Sequence, residues 1–390
     1  MADRRFDLVL FGATGFTGRL TAEYLARNAP ADLRWALAGR NQAKLAEVRD
    51  RLAGIEPRLA DLELLVADST NPVSLADVAD ATRVVATTVG PYLTHGEPLV
   101  AACAEAGTDY LDLTGEPEFV DRMYTAHHRT AERTGARLVH ACGFDSIPYD
   151  LGAYYTVGLL PDDQPIRMRG VVRASGGPSG GTFHSALTQM SRARQMRAAS
   201  AARRRAEQRP EGRSSRAVQG KPHRDPLLGY WLLPLPTLDP LVVARSGRAL
   251  PAYGPDFRYS HYAGTKTLRY AAGGGAAVAA LGLAAQVKPV REFLQGRLQP
   301  GQGPSPERRA KSWFRVDLVA ETLDGTTLHT RVSGGDPGYD ETAKMLAEAA
   351  LCLALDDNPE TAGQVTTAQA MGDNLLARLQ KAGITFETVD

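Results

Sequence analysis

Residues 8–18 read LVLFGATGFTG, and the order of their parts decides the fold. Four apolar residues, Leu8, Val9, Leu10 and Phe11, run straight into Gly12-Ala13-Thr14-Gly15-Phe16-Thr17-Gly18. Beyond them Leu20, Tyr24 and Leu25 recur at helical spacing. A buried strand, a glycine turn and a helix start, in that order, open a dinucleotide-binding fold. Gly12 permits the tight turn, Gly15 lets a pyrophosphate approach the backbone, and Gly18 lets helix and strand pack closely. Free N–H groups and the positive end of the helix dipole then face the anion. The expected cofactor contacts in this loop are Gly12, Thr14, Gly15, Phe16, Thr17 and Gly18. A glycine-rich turn in some other α/β unit is the alternative, and the flanking strand and helix speak against it.

Working outward, Trp35 to Ala38 read as a second strand ending at Gly39-Arg40-Asn41, with Asn41 as N-cap of a helix carrying Leu45, Val48 and Leu52. The tip of this strand selects the cofactor: a carboxylate there suits the ribose of NAD, a cation the 2′-phosphate of NADP. Arg40 occupies it, Lys44 follows one turn on, and no carboxylate is adjacent in sequence. The expected cofactor is therefore NADP(H), against the plainer reading of two surface bases. Leu62 to Ala67 form a third strand, and Asp68 after it either meets an adenine edge or simply makes a turn. A fourth strand, Arg83 to Val89, brings Thr88, Gly90, Pro91 and Tyr92 toward the nicotinamide end. The helix His95–Ala106, the strand Tyr110–Leu113 and the helix Pro117–Thr134 follow. Ala136 to Ala141 is expected to close a doubly wound parallel sheet.

At 390 residues the chain has room for two domains, and 43% hydrophobic content supports real cores. A net charge of +1 points to no nucleic-acid partner. Cys103, Cys142 and Cys352 are widely spaced and form no CxxC, which favours a reducing compartment and disfavours a zinc site. The opening MADRRFDLVLF enters a strand too early for a signal peptide, so an intracellular chain is expected.

Strict alternation stops after Gly152. Arg167 to Ala174 reads as a strand, Gly176 to Gly181 as a loop and Thr182 to Gln195 as a helix. Residues 192–224 hold eleven Arg or Lys against Glu207 and Glu211, and are either a solvated excursion or a surface for an anionic partner. Residues 271–287, AAGGGAAVAALGLAAQV, carry no charge. This stretch and the apolar run from Trp231 to Val243 read as walls of an apolar cavity or as a surface that dips into lipid. For 271–287 a plain core helix is the alternative. Ser312–Val319 and Thr327–Ser333 form a hairpin turned at Asp324-Gly325. Tyr339 to Leu355 is a long helix whose N-terminus offers a second dipole-assisted contact.

Residues 107–116 (GTDYLDLTGE), 140–153 (HACGFDSIPYDLGA) and 334–343 (GGDPGYDETA) join GATGFTG, LAGRN and the terminal AMGDNLLARLQKAGITFE in a wider pattern. Together they resemble the saccharopine dehydrogenase-like oxidoreductases, and within them the trans-acting enoyl reductase branch. The resemblance implies an α/β chain: an N-terminal Rossmann domain (1–145), an α+β substrate domain on a mixed sheet (146–335) and a C-terminal helical return (336–390). It further implies NADPH-dependent reduction of a carbon–carbon double bond in a long acyl or polyketide intermediate, carried by a partner synthase, in lipid biosynthesis.

Such a reaction needs a hydride donor facing the β-carbon, a polarised thioester carbonyl and a proton for the α-carbon. Strand-end candidates are Tyr92, Tyr110, Asp112, Asp145, Ser146 and Tyr149, with Tyr92, Asp145 and Tyr149 as the expected catalytic set. His127-His128 lacks a matching ligand set, so no metal is expected. A saccharopine-type dehydrogenase and a non-catalytic NADP-binding membrane adaptor are the competing functions. The expected setting is the cytoplasm with peripheral contact at the inner face of the plasma membrane, and a homo-oligomer is left open.

Overall fold

A computed structural model describes residues 4–175, 180–297 and 303–389. The first domain alternates as the glycine stretch requires: β1 Phe6–Phe11, α1 Phe16–Asn28, β2 Trp35–Gly39, α2 Gln42–Ala53, β3 Glu63–Val66, α3 Pro72–Ala81 and β4 Thr82–Thr87. It continues with α4 Tyr92–His95, α5 Glu97–Ala106, β5 Asp109–Leu111, α6 Pro117–Thr134 and β6 Arg137–Val139. All six residues of β1 are buried, which is why its apolar run does not alternate.

The chain then crosses on α7 Ile147–Val157 to β7 Ile166–Ala174, α8 Gly180–Ser191, α9 Ala193–Ala206, β8 Ser214–Ala217, β9 His223–Arg224, β10 Trp231–Pro234, α10 Asp239–Ala249 and β11 Asp256–Thr265. After α11 Leu268–Gln286, α12 Lys288–Arg297 and α13 Pro306–Arg309 comes the expected hairpin, β12 Phe314–Thr322 and β13 Thr327–Gly334, with Gly325 at φ +89° in its turn. The chain finishes with α14 Asp340–Leu355, β14 Gly363–Val365, α15 Thr367–Lys381 and β15 Thr385–Thr388.

Two sheets result. The first is parallel, in the order β14-β6-β5-β4-β1-β2-β3. The second is mixed, in the order β15-β13-β12-β7-β11-β10-β9, with β8 pairing β11. The Ala136–Ala141 segment does not close the first sheet. β14, from the C-terminal stretch, adds beside β6, and a three-residue strand shows no periodicity by which sequence could find it. The helical return thus also supplies a strand to each sheet.

Other stretches differ from their sequence reading. Residues 176–179 of the expected glycine loop lie outside the described residues, and Gly180 already begins α8. Residues 192–224 are no loose excursion. They form α9, β8 and β9, and Arg192 pairs with Glu118 while Arg213 donates to the carbonyls of Leu250 and Arg248. The run from Trp231 is partly core: Leu232, Leu238, Val242 and Val243 are buried. Residues 271–287 do not form a core helix, since only Ala271 and Ala285 of α11 are buried.

One apolar core runs from Leu8 and Leu10 through Ile147 and Leu151 to Phe257 and Phe314, so it is shared by both sheets. α14 packs against α1 and α15 and buries Leu346, Leu351 and Leu353, each contributing roughly 1.5–3 kcal/mol. A polar knot fixes α7 within this core. Asp150, fully buried, accepts from Ser246 Oγ at 2.5 Å, Thr367 Oγ1 at 2.7 Å and the Ala368 N–H at 2.9 Å. Asp150→Ala removes the shared acceptor of three donors, of which only Ser246 Oγ keeps a second partner in Thr366 Oγ1, and is expected to cost about 2–4 kcal/mol. A lower urea midpoint with unchanged slope would show it; an unchanged midpoint would mean the knot does not hold the domains.

Candidate cofactor and active site

The glycine loop is shaped for an anion. Gly12 sits at φ +90°, and a Cβ on Gly18 would lie 2.3 Å from the Gly12 carbonyl oxygen, so the close crossing of α1 over the loop excludes any side chain there. Thr88 Oγ1 donates to the same oxygen at 3.1 Å and ties the loop to the end of β4. Gly15 is exposed, and a Cβ on it would meet only the Gly12 oxygen at 3.4 Å. That space is open on the side a pyrophosphate would use. Gly15 caps α1 without a side-chain hydrogen bond, and no acidic residue lies in the first turn, so no carboxylate of that turn competes for the N-terminal donors. Thr14 and Thr17 flank them, both half-buried. The Phe16 ring is taken up elsewhere, edge-on to Tyr339 at 4.8 Å and under the Arg309 guanidinium at 5.6 Å, so only its backbone faces the loop.

Arg40 and Lys44 are exposed at the tip of β2, and the Lys44 N–H donates to Asn41 Oδ1 at 3.0 Å, capping α2 as expected. A cavity of about 290 Å³ lies beside them, lined by Thr14, Arg19, Lys44, Glu47, Val48 and Arg51. Arg19 and Arg51 bring cations that the strand-tip rule did not reveal, because they converge only when α1 packs beside α2. Arg40 has a carboxylate neighbour after all: Asp68 is held below the usual carboxylate range by Thr70, with Arg40 adding its charge. Asp68 Oδ1 accepts from Thr70 N and Oγ1, both at 2.8 Å, so it builds its own turn.

At the nicotinamide end, Gly90 and Pro91 are exposed and Tyr92 is buried. Tyr92 Oη donates to Thr87 O and accepts from Leu113 N–H, both at 3.1 Å. Its hydroxyl is thereby committed to holding the loop after β5. Glu116 extends the clamp: Oε2 accepts from Leu93 N–H at 2.8 Å and Oε1 from Ser185 Oγ at 2.7 Å, while Gln189 Nε2 donates to Gly115 O at 2.7 Å. α8 therefore lies against the reaction end. Tyr110 is fully buried with no partner for its hydroxyl among the described residues, and Ser146 Oγ donates to Asp145 O.

Asp145 stands differently. It is half-buried, faces Gly115, makes no side-chain hydrogen bond among the described residues, and burial pushes its carboxyl up to about 6. Behind it lies Asp239, buried, pushed well above the usual range by burial and then by the Asp145 charge, with Oδ1 unpartnered among the described residues. His261 Nε2 is 3.7 Å from Asp239 Oδ2, and burial pulls this imidazole down to about 3. Tyr149 packs edge-on to His261 at 4.7 Å. Asp145 and Tyr149 are thus brought into one acid-bearing cluster, while Tyr92 sits apart as a strut. Asp239 and His261 were missed because α10 and β11 deliver them from about a hundred residues further along. The expected second contact at the start of α14 is taken: Asp336 Oδ2 accepts from the N–H groups of Tyr339 and Asp340, and Asp340 and Glu341 fill the first turn.

Comparison with known proteins agrees with the geometry. Residues 8–139 match the family model described as the saccharopine dehydrogenase NADP-binding domain. NADP(H) is the cofactor this domain is built to hold. Arg40→Ala should weaken NADPH by about 1.5–3 kcal/mol, on the order of ten- to a hundredfold, and leave NADH nearly unchanged. Equal losses in titrations with the two cofactors would mean Arg40 does not read the 2′-phosphate. The saccharopine dehydrogenase (L-Glu forming) of Saccharomyces cerevisiae superposes with a TM-score of 0.55 at 12% identity, over 98% of this chain and 99% of its own, and shares the fold. A trans-acting enoyl reductase of Mycobacterium tuberculosis (strain ATCC 25618 / H37Rv) is 37% identical over 99% of this chain and 98% of its own. One from Mycobacterium ulcerans (strain Agy99) is 36% identical over 98% and 97%. A second M. tuberculosis protein, provisionally given the same name, reaches 40% over 99% and 98%. The chain belongs to the trans-acting enoyl reductase branch of the saccharopine dehydrogenase-like oxidoreductases.

Proposed function

We propose that this protein is an NADPH-dependent enoyl reductase that acts in trans, reducing a carbon–carbon double bond of a long acyl or polyketide intermediate presented by a synthase in lipid biosynthesis. The observation that carries this reading is identity of 36–40% sustained over nearly the whole of both chains with relatives bearing that name. When bound, NADPH supplies the hydride that adds to the β-carbon. The protein's own part is to hold the acyl thioester at the β4–β5 edge, exclude water and deliver a proton to the α-carbon. Tyr92 and Glu116 fix the loop that forms this edge. Asp145 carries the proton on its carboxyl, and its burial opposes ionisation.

The reaction is tested by NADPH oxidation with a long-chain enoyl thioester, free or carrier-bound. No turnover with any such substrate, together with turnover of saccharopine, would overturn the reading. The pH dependence has a definite sign. A carboxyl raised to about 6 is protonated below that pH and loses its proton above it, so the rate should fall as pH rises through about 6. Asp145→Asn should lower the rate and flatten that limb; an unchanged pH profile would remove Asp145 from the proton path.

We further propose that the protein works in the cytoplasm, against the inner face of the plasma membrane, through α11. This helix is long and apolar enough to cross a membrane by length and composition. Its residues Tyr270, Val278 and Leu283 are exposed, and cations flank both ends: Lys266 and Arg269 before, Lys288 and Arg291 after. A stretch uncharged from Tyr270 to Val287, between cations in the first turn of α11 and at the start of α12, suits an anionic lipid surface. Its packing on α8 and α12 favours lying on that surface over spanning it. Vesicles rich in phosphatidylserine should carry the protein upward in flotation, and Val278→Asp with Leu283→Asp should abolish this. Flotation that survives both substitutions would overturn the contact.

A further inference from the structure

A cavity away from the cofactor loop and the Asp145 cluster has no role in either. About 300 Å³ opens between α6, α9, α10 and the start of α15, at the carboxyl ends of β6 and β14. In the sheet order these strands stand three and four places from β1, roughly 14–19 Å at the usual strand spacing. The cavity is therefore separate from the glycine loop, yet it lies on the edge where open α/β sheets take their ligands, and its volume suits a small molecule.

Its wall is cationic. Arg203, Arg245 and Arg248 share two carboxylates, Asp121 and Glu207. Arg245 Nη2 holds Asp121 Oδ1, and Arg203 Nη1 stands 3.8 Å from that same oxygen. Arg203 Nη2 donates to Glu207 Oε1 at 3.2 Å, and Arg248 Nη1 to Glu207 Oε2 at 2.5 Å. These three cations exceed their two carboxylates by one, and the exposed Arg209 adds another at the rim. Arg203 is the most buried of the three. It is 4% exposed, its guanidinium lies over the Tyr124 ring at 4.0 Å, and its Nε has no partner among the described residues. Burial, then the neighbouring Arg245 charge, pulls it down to about 9. On the same wall His140, 5% exposed, gives Nδ1 to Asp112 Oδ2 at 2.6 Å and leaves Nε2 unpartnered among the described residues. Both nitrogens are themselves closed off from the cavity, so they mark an under-satisfied polar wall behind it, while the guanidinium ends of Arg245 and Arg248 border the open space.

We propose that this cavity binds a phosphate group. Guanidinium groups arriving from α9 and from two positions of α10 suit the several oxygens of a phosphate, whereas the carboxylate positions are already filled by Asp121 and Glu207. The phosphate has two sources: a free phosphate ester, or the phosphodiester-linked arm by which a carrier presents an acyl substrate. The second source rests on the enoyl reductase reading; the site itself does not.

The test uses the full chain saturated with NADP⁺, so that the glycine loop is filled and cannot report. Calorimetric titration with inorganic phosphate and with pantetheine 4′-phosphate is compared with pantetheine, which lacks the phosphate. Saturable binding of the phosphate compounds and none of pantetheine is expected. Arg248→Gln, at the half-buried rim, and Arg245→Gln should each weaken it about tenfold or more, with NADP⁺ affinity reporting an intact fold. Binding of inorganic phosphate without pantetheine 4′-phosphate assigns the site to free phosphate compounds and upholds it. No saturable phosphate site, or one that both variants leave unchanged, overturns the proposal. Because no step requires turnover, a missing reductase activity would leave this result standing.

Discussion

The carboxylate of Asp112 holds the reaction end together. It is fully buried at the end of β5, where an ionised group survives only if its oxygens are answered. Oδ1 accepts from the N–H groups of Thr114 and Ala141, Oδ2 from His140 Nδ1, and the Asp112 carbonyl from Cys142 N–H. Ala141 is the described non-glycine residue with positive φ, at +61°, a conformation that costs roughly 1–2 kcal/mol for a residue with a Cβ. The Asp112 hydrogen bond compensates that cost exactly where the chain leaves the first sheet. The consequence is the placement of residues 142–149: without the left-handed turn, Asp145 would not face Gly115.

The two ends of the cofactor site depend on different physics. At the phosphate end the chain offers backbone, and the decisive property is space: Gly12 and Gly18 approach so closely that a Cβ has no room, and Gly15 leaves an opening. Charge there is exposed and screened, as with Arg40 and Lys44, so it does not hold the fold. At the reaction end the decisive property is exclusion of water. Asp145, Asp239 and His261 are all shifted first by burial, each toward its neutral form. Both carboxyls thereby hold their protons more tightly, while the imidazole gives its proton up more readily.

This division explains what could be read from sequence. The glycine loop, the Asn41 cap and the Asp324-Gly325 hairpin are local devices, and each appears where its residues predict. The exposed place of Arg40 at the tip of β2 was legible for the same reason. Asp239 and His261 were not, since they become neighbours of Asp145 only after β11 pairs with β7. The basic stretch misled in an instructive way. Counting Arg residues gave a solvated excursion or a surface for an anionic partner, but Glu118 and Asp121 on α6 lie more than seventy residues upstream and tie down half-buried Arg192 and buried Arg203. A composition window cannot see partners at that separation.

α8 joins features that sequence kept apart. It holds the reaction-end loop through Ser185 and Gln189, and its Met190 carbonyl accepts from Gln286 Nε2 of the exposed apolar helix at 2.6 Å. The same short helix thus touches both the loop that faces Asp145 and the surface suited to a lipid or acyl partner. α11 is therefore structurally continuous with the reaction end. From Tyr270 to Val287 the chain is uncharged and mostly exposed, an apolar surface of a kind that monomeric proteins seldom leave uncovered.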